Sequence, residues 1–456
     1  MLRRSAPFAS ALLFFAALAG GCSSTPPTVH LDLTVGHETD AFSQDPKVTS
    51  LAIDGVAPDG TLVMTAVAAP GGTFDFGEVS VDTQVTFEVT GTDAQGKTVM
   101  RGRSLGAIPL DSVTGTLPVF VQRVNQWARP PGGLAQTHVG GVASVGAERY
   151  VVLGGGTAGK VDETNLYDLL TLGGVKVAGI QRSPETIVPR ETALLFVDHK
   201  GATSISLESG EATDVETPTG LESYALIAGG RPVDASDGRT FIVGGTRLGE
   251  PTKSVLVAAA DGKLSALELV FPRAGAAAAW IEGVGLVVAG GSATGGGIEV
   301  LGPRATSFAA GGDFPPDTTV GAGAVLDGPS GVVLIGGTLE GGAPAPIRRL
   351  DPTCVNACVA VPITGSDPAV ALTSVHAYTL GGGRVFVVGD EVAMSAQTRT
   401  FVLQLGASAT ELPLREPRRG AAVIPAPNGT LALLGGTLVD GAGDKPALSV
   451  ELLFPQ

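Results

Sequence analysis

The chain has 456 residues and a formal net charge of -15, with 44% hydrophobic residues, 5% aromatics and 66 glycines. That length favours two or three domains. Glycine so far above the usual share of about 7% excludes a chain of long helices, because it costs roughly 1 kcal/mol at each helical position. The acidic balance repels phosphate backbones and argues against a nucleic-acid partner.

Arg3 and Arg4 open the chain, and an apolar run over 8–18 follows. The run is too short to span a bilayer, which takes about 20 residues, and fits the core of a signal peptide. It ends in Ala19, Gly20, Gly21 and Cys22, followed by Ser23 and Ser24. These small residues before a cysteine resemble a bacterial lipobox, although Ala19 stands where such boxes usually carry Leu. The resemblance implies a signal peptide over 1–21, lipid on Cys22, and anchoring by several acyl chains. Ser23, rather than Asp, after the cysteine implies the outer membrane, on either its periplasmic or its cell-surface side. The alternative is an ordinary secretory signal cut nearby. Loss of Arg3 and Arg4 takes the charge from -15 to -17 (-15 - 2), dispersed along the chain as solubility requires.

A polar tether over 22–28 contains Pro26 and Pro27. Short segments with strand alternation then occupy 30–34, 48–53, 61–67, 79–81, 84–90 and 97–103. Turn signals separate them at Asp59-Gly60, Pro70-Gly71-Gly72 and Gln95-Gly96. The pattern predicts a small all-β domain over 29–116 and resembles an immunoglobulin-like or fibronectin-like sandwich. Such a domain serves as a spacer or as a contact surface.

From 117 to 456 the sequence repeats. A hydrophobic run ends in glycines at Gly154-Gly155, Gly244-Gly245, Gly290-Gly291, Gly336-Gly337 and Gly435-Gly436, and in Gly389-Asp390. The spacings are 46 residues from 244 to 290, 46 from 290 to 336, 53 from 336 to 389 and 46 from 389 to 435. The 90 residues from 154 to 244 are nearly two periods and predict a degenerate unit between them, with strands over 193–198 and 201–207. A period of about 40–50 residues holding several strands predicts a β-propeller of seven units, within a range of six to eight. Each unit reads as a small-residue strand, a tight turn such as Asn428-Gly429, an apolar strand, the glycine pair, a loop and a third strand. The last unit stops after its third strand, so 119–127 is expected to complete it and to close the ring.

The glycine pair, the Tyr167-Asp168 end of a third strand and the run Trp127-Ala-Arg-Pro-Pro131 resemble the kelch repeat. The resemblance covers about 117–456, and departs from the kelch pattern in lacking a Trp from most units, Trp280 being the only other one. It implies a propeller that presents loops to a partner.

The candidate chemistry is sparse. Cys354 and Cys358, in the unit of spacing 53, are expected to form a disulfide in an oxidising compartment, with zinc as the alternative. The stretch Gly154 to Lys160 approaches a phosphate-binding loop, but Val161 replaces the Ser or Thr and no helix follows, so a hairpin is the expectation. Copper-radical oxidases share the kelch architecture; here His138, His376 and Tyr378 are the residues that could meet at a channel. Asp234 with Asp237, and Asp440 with Asp444, lie in glycine-rich turns that either hold Ca²⁺ or simply turn the chain. No sialidase-type Asp box occurs. The expected function is a non-catalytic, membrane-tethered module that binds an envelope protein or a glycan, with no cofactor and no metal. An envelope carbohydrate-active enzyme (oxidase, lyase or epimerase) and a purely structural envelope protein are the alternatives.

Overall fold

The computed structural model describes residues 30–76, 83–109, 116–139, 141–155, 164–177, 182–190, 192–247, 250–292, 296–393, 396–439 and 445–456. The expected signal peptide, Cys22 and the tether lie outside the described residues, as do the expected strand 79–81, Gly159, Lys160, Asp440 and Asp444.

The N-terminal strands form one hydrogen-bonded sheet. Its path runs His30–Thr34, Thr116–Arg123, Thr98–Arg103, Gln84–Thr92, Ser50–Val56 and Leu62–Ala68, with Ile108–Pro109 on Gln84–Thr92. His30–Thr34 pairs in parallel with Thr116–Arg123, and the other pairings are antiparallel. Alternation puts Leu51, Ile53, Val85, Phe87, Val89, Val119 and Val121 on one buried face. Burying each contributes roughly 1.5–3 kcal/mol. Because Met100–Gly102 pairs with Val121–Arg123, this sheet runs to Arg123, past the expected boundary at 116.

Eight further sheets follow among the described residues; one is a small sheet of Arg418–Arg419, Thr437–Leu438 and Lys445–Pro446, and the other seven come in chain order. The first strands of these seven are Val142–Gly146, Thr186–Pro189, Arg231–Asp234, Ala277–Ile281, Gly323–Asp327, Leu372–Gly381 and Ala422–Pro425. We number the sheets 1 to 7 in that order. Sheets 1, 2, 4, 5 and 6 each hold four antiparallel strands in sequence order. Sheet 2 contains Ala193–Asp198 and Gly201–Ser206, so the stretch without a glycine pair still makes a complete sheet. The first strands touch in order from sheet 1 to sheet 6, and that of sheet 7 touches sheet 1. Sheets 6 and 7 are joined where Tyr378 Oη donates to the carbonyl of Val423 at 2.9 Å. A closed ring of radial sheets with first strands innermost is a β-propeller.

Small residues at the inner ends make the ring possible. Ala276, Ala277 and Ala289 are buried where sheets 3 to 5 converge, while Phe241, Val255, Leu286 and Val288 fill the wider space between sheets 3 and 4. The glycine pairs at 291 and 337 sit where the end of a second strand passes the segment leading into the first strand. Gly291 has φ +70°, and a Cβ there would lie 2.5 Å from the carbonyl oxygen of Ala274. At Gly337, with φ +86°, it would lie 2.8 Å from the amide nitrogen of Ala322. Only glycine suits both the conformation and the approach.

The ring's seam lies in sheet 7, where Ala128 exchanges both backbone hydrogen bonds with Leu452, at 2.9 and 2.8 Å. Asn125 and Leu134 extend the seam by donating to the carbonyls of Phe454 and Leu448. The residues that close the ring are thus centred on 125–134, whereas the first part of the expected 119–127 strand belongs to the N-terminal sheet. The reason is pattern: Val119 and Val121 alternate into the N-terminal core. Trp127 packs instead with Phe386, Val423, Leu433 and Leu453 between sheets 6 and 7, donating from Nε1 to Thr400 Oγ1 at 2.9 Å.

Candidate functional site

Four sheets repeat one buried polar device, which joins the segment leading into the first strand to the third strand. In sheet 4, Arg273 meets Glu299 at 2.8 Å, and in sheet 7, Arg418 meets Glu451 at 2.8 Å; all four side chains are fully buried. Sheet 5 reverses the charges, with Asp317 on the leading segment and Arg348 on the third strand at 2.7 Å. Sheet 1 uses His138 Nδ1 and Asn165 Nδ2, 3.0 Å apart. His138, read from sequence as a channel residue, therefore occupies the position that Arg273 and Arg418 hold in their sheets, and it packs against sheet 1.

The first strands can be aligned by the residue paired just before the glycine position. Ala143 faces Leu153, Arg231 faces Val243, Ala277 faces Ala289, Gly323 faces Ile335, His376 faces Val388 and Ala422 faces Leu434. At this level of the ring four of the six residues are Ala or Gly, and the two large ones are Arg231 and His376. They stand on sheets three apart, across the channel. Arg231 Nη1 donates to the carbonyl of Val375, next to His376, at 2.7 Å, so the guanidinium bridges the axis.

One level further along lies a cavity of about 420 Å³. Pro232, Ala278, Ala324 and Ala377 line its inner part, and Trp280, Leu326, Thr379 and Pro425 stand toward the hairpins of sheets 4 to 7. It lies toward the end where first and second strands turn; Arg231 and His376, one level away, do not line it. Trp280 stacks on Phe241 with ring centroids 6.0 Å apart, and Arg239 lies 5.5 Å from its ring. Trp280 Nε1 donates to Ser236 Oγ at 3.1 Å.

The electrostatics follow from enclosure. Loss of solvation lowers Arg231 to about 10. Enclosure by the channel walls, and then the charge of Arg231, hold the His376 imidazole well below its ordinary value. Burial pushes the Tyr378 phenol up. Arg231 is thus close enough to act on both His376 and Tyr378.

The remaining sequence candidates have local roles. Cys354 and Cys358 form a disulfide with Cα atoms 5.8 Å apart at the outer edge of sheet 5. Asp234 accepts from Thr240 Oγ1, and Asp237 pairs with Arg239, both within the first hairpin of sheet 3. Among the described residues no three His, Cys, Asp or Glu side chains come together to hold a metal ion, and no helix is long and apolar enough to cross a membrane. Sequence reasoning missed Arg231. The signal was present: counting back from each glycine pair through its hairpin isolates Arg231 and His376 in a register of Ala and Gly.

No protein-family model and no curated protein matches the chain. Among solved structures it is similar to a streptogramin B lyase, at 10% identity and a TM-score of 0.42 over 72% of this chain and 96% of that one. It is similar also to the WD40 domain of Neurospora crassa Pan2 (9%, TM-score 0.40, 70% and 92%) and to the N-terminal domain of Nup159 (9%, TM-score 0.39, 70% and 90%). These are likenesses of fold alone.

Proposed function

We propose that this chain is a lipid-anchored protein of the bacterial outer membrane whose propeller, seven-bladed and kelch-like, binds an envelope protein or a glycan without catalysing a reaction. The observation that carries the reading is the cavity at the hairpin end of the channel. It is large enough for a small group, and Trp280, Leu326, Thr379 and Pro425 stand at its rim. The lipobox-like end at Cys22 supports the anchor, and the sheet over 30–123, with its parallel first and last strands, supports an immunoglobulin-like spacer. Of the residues weighed for an oxidase, His138 pairs with Asn165 in sheet 1.

The test is binding of the purified full chain to a panel of purified envelope proteins and to a glycan array, with metal content measured on the same sample. One saturable partner with no stoichiometric transition metal is the expected result. Stoichiometric copper without a partner would overturn the proposal in favour of an enzyme.

A further inference from the structure

The N-terminal domain meets the ring at its seam. After His30–Thr34 the chain turns at Gly36, whose φ is +61°, and a Cβ there would lie 2.1 Å from the carbonyl oxygen of Arg129. Glycine permits that approach, and the amide of His37 donates to the same carbonyl at 3.0 Å. The approach also sets Glu38 between the two segments that meet at the seam. Glu38 Oε1 accepts from Arg129 Nε at 3.0 Å, on the segment leading into sheet 1. Its Oε2 lies 3.9 Å from Arg415 Nε, on the segment leading into sheet 7. Arg129 Nη1 pairs in turn with Glu416 at 3.1 Å, and Arg415 Nε donates to the carbonyl of Trp127 at 2.6 Å. The amides of Arg415 and Glu416 donate to Glu451, on the third strand of sheet 7. A carboxylate near the start of the chain is thus linked to the strand that closes the ring at its end. The Glu38 side chain is only 13% exposed, so water screens these pairs less than it does a surface ion pair. Apolar contacts bind the same parts. Leu170 of sheet 1 packs on the N-terminal core, and Leu105 and Phe120 of the N-terminal domain belong to the core between sheets 7 and 1 that holds Ala426 and Leu452.

We infer that the N-terminal domain is the clasp of the ring. Its residues 36–38, docked on Arg129 and Arg415, hold the segments 125–134 and 412–418 together, so that domain docking and ring closure are one event and the two domains move as one body. This goes beyond the binding role proposed above and does not depend on it.

The experiment compares amide hydrogen exchange in the full chain and in its E38A and E38Q variants. The strand over 451–454 is reached from Glu38 through Arg415 and Glu416. In E38A its exchange is expected to speed by at least about tenfold, the scale of hydrogen bonds to a charged group, while the second strand of sheet 4, Gly285–Ala289, keeps its wild-type rate. E38Q keeps an acceptor without the charge and is expected to fall between E38A and wild type; it carries the same comparison if E38A does not fold. Faster exchange confined to residues 36–38 would reduce Glu38 to a local contact and overturn the inference. Equal acceleration over 285–289 would also overturn it, because the loss would then be of global stability and not of the clasp. Unchanged rates over 451–454 in both variants would do the same.

Discussion

Replacing Arg273 by Met isolates the repeating buried pair. The Arg273 side chain is fully buried and donates to Glu299 Oε1 at 2.8 Å, to the carbonyl of Gly290 at 2.6 Å and to that of Gly296 at 2.9 Å. Glu299 also accepts from the amides of Val270 and Phe271, so it ties the last strand of sheet 3 to the third strand of sheet 4. Met fills much of the same volume but supplies no donors. The substitution leaves one buried carboxylate and two carbonyls without their partner, and removing one member of a buried ion pair costs about 3–5 kcal/mol. Arg273→Met/Glu299→Gln keeps an acceptor for a backbone amide and has no charge to strand. It should be less destabilised than the two single variants combined, by about 1–3 kcal/mol. Denaturant unfolding followed by Trp280, on the first strand of the same sheet, measures both quantities. A cost below about 1 kcal/mol for Arg273→Met, or strict additivity in the double variant, would refute the reasoning.

Other outcomes follow from the same geometry. Burial pushes the Asp317 carboxyl up, but Arg348 and Thr319 outweigh it and hold it below its ordinary value. That contribution to stability is present above the unfolded pKa, near 3.8, and is lost as pH falls through the folded pKa. Asp317→Asn should therefore lower the unfolding midpoint at pH 7 and flatten its decline in acid; an unchanged acid limb would contradict this. Cys354→Ser/Cys358→Ser should cost about 2 kcal/mol, the chain-entropy value for so short a loop, with no change elsewhere in a hydrogen-exchange map. Ala128→Pro removes the donor to Leu452 at the seam, and should speed amide exchange over 451–454 ahead of the other sheets.

The propeller was legible in the sequence because its determinants are local and periodic. The glycine pairs, 46 residues apart at 244, 290 and 336, mark positions where a side chain would collide with the neighbouring backbone, as at Gly291 and Gly337. The seam was legible only in part. Residues 116–134 contain both the alternation of Val119 and Val121, which suits the N-terminal core, and Trp127, which suits sheet 7, and alternation alone does not say where one allegiance ends. Candidate chemistry was harder to read. His138 and His376 look alike in a list of histidines, but the first lies on a segment leading into sheet 1 and the second inside the channel. Arg231 escaped notice because an isolated arginine in an acidic chain reads as surface charge until the first strands are placed in register.

The central claim is that the cavity at the hairpin end of the channel is where this chain meets its ligand. The most direct test is the affinity of the partner identified in the binding panel for Leu326→Trp, which fills the rim at a residue 44% exposed in the free protein. The account predicts at least a tenfold loss of affinity, about 1.4 kcal/mol or more, with an unchanged unfolding midpoint. Undiminished affinity would place the binding surface elsewhere and contradict it.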